Sequence, residues 1–175
     1  MSKRQEFREL CAKHFDFLER DFGFKLDKCT VNTSNYKLIF ISNAVGVTLE
    51  FEPREFYLFV TLCKLRNGGF PPPIGEISPE TVLDCFDLDD VVSLRSKESL
   101  IPDYTSMGAN EKLTLDDLLK KQAENLQKFA NDILHADFSL FSELDKIVKH
   151  RARQFAIQKW GEKASQYGWS LDESK

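Results

Sequence analysis

An α+β fold is predicted for this chain on three observations. Both ends carry apolar residues at the three-and-four spacing of amphipathic helices, the middle carries four β-patterned runs, and the connections between those runs are too short to hold crossover helices. The expected architecture is an N-terminal helix, a four-stranded antiparallel meander sheet, a short acidic helical segment and a C-terminal antiparallel helix pair. At 175 residues the chain is long enough for one core, and residues 1–175 are read as a single domain with a weakly patterned tail after 161.

Residues 3–22 place Phe7, Leu10, Cys11, His14, Phe15, Leu18 and Phe22 on one helical face, and Gly23 supplies the stop. Residues 24–31 are only modestly β-branched and are expected to form an edge strand. The turn residues Asn32, Thr33, Ser34 and Asn35 follow, then a stronger strand at 36–42. The centre of the sheet is the hairpin GVTLEFEPREFYLFVTLCKL at 46–65, turned at Glu52, Pro53, Arg54 and Glu55. Its first arm alternates, Val47, Leu49 and Phe51 against Thr48, Glu50 and Glu52, as a half-buried strand does. Its second arm puts Phe56, Leu58, Val60 and Leu62 on one face and Tyr57, Phe59, Thr61 and Cys63 on the other, so both faces need cover. A helix or long loop is the expected cover for the second face; the alternative leaves Tyr57 and Phe59 as an aromatic patch for a partner.

Arg66, Asn67, Gly68 and Gly69 end the fourth strand, and the prolines at 71, 72, 73 and 79 mark an extended connection, because proline lacks an amide proton and fixes φ. Residues 80–95, ETVLDCFDLDDVVSLR, fit one or two short helices with Asp87 as an N-cap. Residues 96–110 read as a long polar loop, of a length that is usually mobile or functional. Thr114 then caps a helix with Asp116 and Asp117 in its first turn, and Leu115, Leu118, Leu119, Ala123, Leu126, Phe129 and Ile133 lie along its face. After a break at 135–137 a last helix repeats Phe138, Phe141, Leu144, Val148, Ala152 and Phe155, and Tyr167 and Trp169 supply one docking contact for the tail.

Charge is distributed unevenly along the chain. Residues 76–117 hold eleven acids and three bases, a net of −8, whereas the segments on either side are each at +2. An acidic middle argues against a general nucleic-acid binder, which needs clustered Lys and Arg for phosphates. Lys146, Lys149, His150, Arg151, Arg153, Lys159 and Lys163 make the last helix basic, a solvated face that its dipole favours toward the C-terminus. No run approaches the 18 or so apolar residues of a membrane span, and the opening MSKRQEFREL has no apolar segment, so a cytoplasmic protein is expected. Cys11, Cys29, Cys63 and Cys85 are widely spaced without a C-x-x-C and are expected to be reduced thiols, neither a zinc site nor a disulfide framework.

Catalytic motifs are absent: the chain has no G-x-S-x-G, P-loop, G-x-G-x-x-G or H-E-x-x-H. His135, Asp137 and Ser139 supply the residue types of an acyl-transfer triad, but within five residues at a helix junction they serve a cap more simply than a catalytic alignment. His14, three residues after Cys11, has no second pair of ligands beside it. Asp84, Asp87, Asp89 and Asp90 lack the glycine and glutamate of an EF-hand loop, and no metal or cofactor is assigned to them. A small metal-dependent enzyme using the aspartates at 84–90 is the alternative reading.

The favoured reading is a non-catalytic binding protein that presents Asp84, Asp87, Asp89 and Asp90 to a basic protein partner, with Tyr57 and Phe59 as aromatic anchors. A homodimer through the same aromatic face is the other use the sequence allows. Three blocks, GVTLEFEPREFYLFV, FDLDDVVSLR and LQKFANDILHADFSLFSELDKIVKHRA, together 52 of the 175 residues, resemble a group of short bacterial proteins of uncharacterised function. Small acidic proteins of this type are often immunity proteins encoded beside secreted toxins, so the resemblance implies an immunity or inhibitor role with a toxin domain as the basic partner. It assigns no functional residue.

Overall fold

The computed structural model describes residues 3–31, 35–96 and 114–170 of the chain. The turn residues 32–34 and all but Ser96 of the loop expected at 96–110 lie outside the described residues. In order, the elements are α1 (Lys3–Phe22), β1 (Lys25–Val31), β2 (Tyr36–Ile41), β3 (Val45–Glu52), β4 (Tyr57–Lys64), β5 (Cys85–Asp87), α2 (Leu88–Ser96), α3 (Leu115–Phe129), α4 (Asn131–Leu134) and α5 (Phe141–Trp160), closed by a 3-10 turn at Gly161–Tyr167. The α+β class is as the sequence predicts. Two compact units divide the chain, Met1–Pro71 with Cys85–Phe138, and Pro72–Asp84 with Ser139–Lys175.

In the first unit the sheet runs β1-β2-β3-β4-β5, every neighbour antiparallel. It has five strands rather than four. Residues 85–87, expected to be helical, pair with Thr61, Leu62 and Cys63, so Asp87 ends a strand while standing directly before α2, the helix it is expected to cap. Cys63 and Cys85 face each other in that pairing and are joined by a disulfide, which corrects the expectation of four reduced thiols. Cys11 is buried and unbonded; burial first, and Cys29 second, push its thiol far above the ordinary range, so it packs as a small apolar group.

One face of the sheet carries the core. Leu38 and Phe40 of β2, Val45, Val47, Leu49 and Phe51 of β3, Leu58, Val60 and Leu62 of β4, and Phe86 of β5 are all buried. Helix α1 packs on β1 and β2, α2 on β4 and β5, and α3 touches α1, α2 and β4, so the three helices form a single layer on that face. Phe7, Cys11, Phe15 and Leu18 are the inward residues of α1, spaced as the sequence predicts. Gly23 ends the helix at φ +69°, where its lack of a Cβ removes the steric cost. A capping box starts α3, with the Thr114 hydroxyl accepting from the Asp117 amide and the Asp117 carboxylate accepting from the Thr114 amide. Asp116 joins α3 to α1, accepting from Lys13 Nζ at 2.8 Å and lying 2.7 Å from His14 Nε2.

Gly46 shows how the far end of the other sheet face is closed. Residues 66–69 turn back through an Arg66–Gly69 bridge, and a Cβ on Gly46 would lie 2.4 Å from the Phe70 ring. Only glycine leaves the ring its place there.

The expected C-terminal helix pair is replaced by two separate associations. Helix α3 belongs to the layer with α1 and α2, and α5 packs with the 3-10 turn that follows it. In that second unit Ala156, Ala164 and Trp169 form a small core with Ile77, Ala152, Ile157 and Trp160 around it, and Trp160 stacks on Tyr167 at 4.5 Å.

Arg95, at the end of α2, is the polar tie between α2 and the α3–α4 corner. Its guanidinium donates to the Phe129 carbonyl, which α3 leaves unsatisfied at its C-terminus, and grips both oxygens of Asp132, one at 2.8 Å. The hydrogen bond from Arg95 holds the Asp132 carboxyl below its usual range. A lowered carboxyl contributes stability that is complete above the unfolded value near pH 3.9 and is lost as pH falls through the folded value. Asp132→Asn is therefore expected to cost about 1–2 kcal/mol at pH 7, the modest figure reflecting side chains that keep 29% and 32% of their surface exposed. Urea unfolding of both proteins should show that gap narrowing below about pH 4; a gap of equal size at pH 7 and pH 2.5 would assign the loss to packing instead.

Candidate functional site

Because α1, α2 and α3 share one layer, the second face of β4 is left without a helix from that layer. Phe59 keeps 39% of its surface exposed there, and Tyr57 is half-buried beside it, the two rings meeting edge to face at 4.4 Å. On this face Phe70 lies against Gly46 at the Cys63 end, where the disulfide also lies, and Thr48 is buried in mid-strand.

Register decides what surrounds the two rings. Antiparallel partners point to the same side of a sheet, and Phe59 stands opposite Glu50, Tyr57 opposite Glu52, and Thr61 opposite Asp87. Glu50 is held by Lys37 from β2, Nζ to Oε2 3.0 Å, and accepts from the Asn35 amide. Asp87 is exposed and accepts from the Thr61 hydroxyl at 3.2 Å. Asp89, in the first turn of α2, accepts from the Tyr57 hydroxyl at 2.6 Å and from Gln122 at 3.4 Å, so the phenol is anchored. The result is an aromatic pair bordered by carboxylates from two strands, β3 and β5, and one helix, α2.

The four aspartates singled out in the sequence do not act as one group. Asp87 projects on the open sheet face, Asp89 sits at its border, and Asp90 is buried with 7% of its surface exposed. Asp84 belongs to the second unit. A strand-to-helix junction turns successive side chains in different directions, which disperses a run that looks clustered on paper. Glu50 and Glu52 are the members that the sequence reading left out of the site, although the strand alternation and a four-residue turn already place them beside Tyr57 and Phe59.

Among the described residues no three His, Cys, Asp or Glu side chains converge on a point where a metal ion could sit. His14, Asp116 and Lys13 form a compact cluster with Cys11 one turn away on α1, but the Cys11 thiol is fully buried and held in its neutral form, so it offers no nucleophile. The basic stripe of α5 is partly engaged with its own unit: Lys149 pairs with Asp145 at 3.0 Å, Arg153 donates to the Ser170 carbonyl, and Lys159 lies over the rings of Phe155 and Trp160. Among the described residues, no helix is long and apolar enough to cross a membrane.

The chain matches no protein-family model, no curated protein and no solved structure.

Proposed function

We propose that this protein is a non-catalytic binding module, of the immunity or inhibitor kind, that presents an acidic, aromatic sheet face to a basic protein partner such as a toxin domain. The reading rests on one observation: Phe59 and Tyr57 lie on the sheet face that α1, α2 and α3 leave uncovered, within a border of Glu50, Glu52, Asp87 and Asp89. Aromatic side chains that can be desolvated supply affinity at an interface, and a charged border speeds encounter and rejects partners of the wrong sign. Asp90 has no place in this surface, since its carboxylate is inside the fold. The reading places the partnership in the cytoplasm, where the thiol pool bears directly on the Cys63–Cys85 bond.

Binding kinetics against a panel of basic toxin domains test the proposal. Phe59→Ala is expected to weaken the complex by about 30-fold, the scale of an interface anchor, mainly through faster dissociation. Glu52→Lys with Asp87→Lys is expected to slow association by about tenfold at low salt and to flatten its salt dependence. Both variants should unfold within about 0.5 kcal/mol of the wild type, as surface substitutions do. A panel without a single binder, or variants that bind like the wild type, would overturn the reading. A wild-type dimer in solution that Phe59→Asp splits would assign the face to self-association instead.

A further inference from the structure

On the opposite, helix-covered side of the sheet, the first unit holds a pocket of about 290 Å3 at the hairpin end. Its walls include the rings of Tyr36, Phe51 and Phe56, with Pro53 and Leu115 beside them, and among the described residues Glu6 of α1 is the one charged side chain lining it. Thr114 also borders the pocket, with its hydroxyl already committed to Asp117.

The rings do not stack. Phe51 meets Phe56 at 84° with centroids 5.6 Å apart and meets Tyr36 at 45° and 6.1 Å, while Phe7 backs both Phe51 and Tyr36 from within the core. Phe56 and Tyr36 are thus both inclined to Phe51 around the pocket, and the negative faces of aromatic rings attract cations, those of quaternary ammonium type most of all because little hydration is lost on entry. The volume suits a small ligand.

Phe56 supplies an independent observation. It holds φ at +51°, a left-handed conformation that a bulky side chain rarely adopts, and it does so while 42% exposed. Glycine or asparagine would close the same hairpin turn with less strain. The left-handed turn sets the Phe56 ring edge to face against Phe51, where it forms one wall of the pocket.

We propose that this pocket binds a small alkylammonium ligand, with the cation seated among Tyr36, Phe51 and Phe56 and balanced by the Glu6 carboxylate. The site is separate from the Phe59 face and stands whether or not that face binds a protein.

Calorimetric titration of the full chain with choline, and with its neutral isostere 3,3-dimethylbutan-1-ol, isolates the charge. Choline is expected to bind at least about tenfold more tightly than the isostere, the cation–π contribution at a partly desolvated site. Phe56→Gly is expected to abolish choline binding while the melting temperature stays the same or rises, because glycine relieves the left-handed turn. Glu6→Gln is expected to weaken binding by about tenfold with the fold unchanged. Equal affinity for choline and the isostere, no heat with millimolar choline, or unchanged choline binding in either variant would overturn the proposal.

Discussion

Replacing Cys63 and Cys85 together by alanine is expected to lower the free energy of unfolding by about 3 kcal/mol, and reducing the wild-type protein should reproduce most of that loss. The two cysteines are 22 residues apart, and a cross-link closing a loop of that length removes about 3 kcal/mol of chain entropy from the unfolded state. For a chain of this size the midpoint should fall by roughly 6–12 °C. The loss should begin locally. β5 pairs through only three residues, and the bond joins one of those pairs, so amide exchange at Phe86 and Asp87 should accelerate in the reduced protein before exchange in β2 or β3 does. Asp87 lies two residues after Cys85 on the same face, so a loosened β5 also takes one carboxylate from the proposed partner surface. Alkylation under denaturing, non-reducing conditions gives the redox state: two free thiols accompany an intact bond and four accompany an open one. A reductant that changes neither the midpoint nor the exchange of β5, in protein shown to carry two free thiols beforehand, would remove the stabilising role.

That bond and that strand are what the sequence concealed, for a physical reason. Helix α1 is legible because Phe7, Cys11, Phe15 and Leu18 repeat locally and Gly23 stops them, and α3 is legible because Thr114 and Asp117 carry their own capping geometry. The hairpin of β3 and β4 is legible from alternation and a turn. β5 has three residues, too few for any period to register, and it exists only because Cys85, Phe86 and Asp87 find Cys63, Leu62 and Thr61 on the edge of β4. The disulfide is a by-product of that long-range register, and neither cysteine has a local neighbour that announces it. The site shows the same division. Continuous apolar character in residues 56–63 raises the question of what covers Tyr57 and Phe59, yet the answer depends on three helices choosing one face, which is a tertiary fact. The aspartates at 84–90 misled because proximity in sequence is not proximity of carboxylates across a change from strand to helix. Glu50 and Glu52 were within reach, since antiparallel pairing puts them opposite Phe59 and Tyr57 once the turn length is known.

Phe7→Ala should be the most damaging single substitution of the set, at about 3–5 kcal/mol. Its side chain is fully buried, stacked on Phe51 at 5.9 Å and tilted against Tyr36 at 5.6 Å, and it pins the first turns of α1 to β2 and β3. The upper part of the range is expected because the site cannot collapse: Tyr36 and Phe51 are paired across adjacent strands and cannot move inward without breaking the ladder. Phe7→Leu should cost clearly less, since it keeps most of the buried carbon. Urea unfolding with an unchanged slope would attribute the loss to the native packing, and a cost below about 1 kcal/mol for Phe7→Ala would mean that the start of α1 is not docked as described. The same substitution takes the support from behind two walls of the Tyr36, Phe51 and Phe56 pocket, so choline binding should fall together with stability. In Phe56→Gly binding should fall alone. Comparing the two variants separates a ring that holds the fold from a ring that the fold itself does not require.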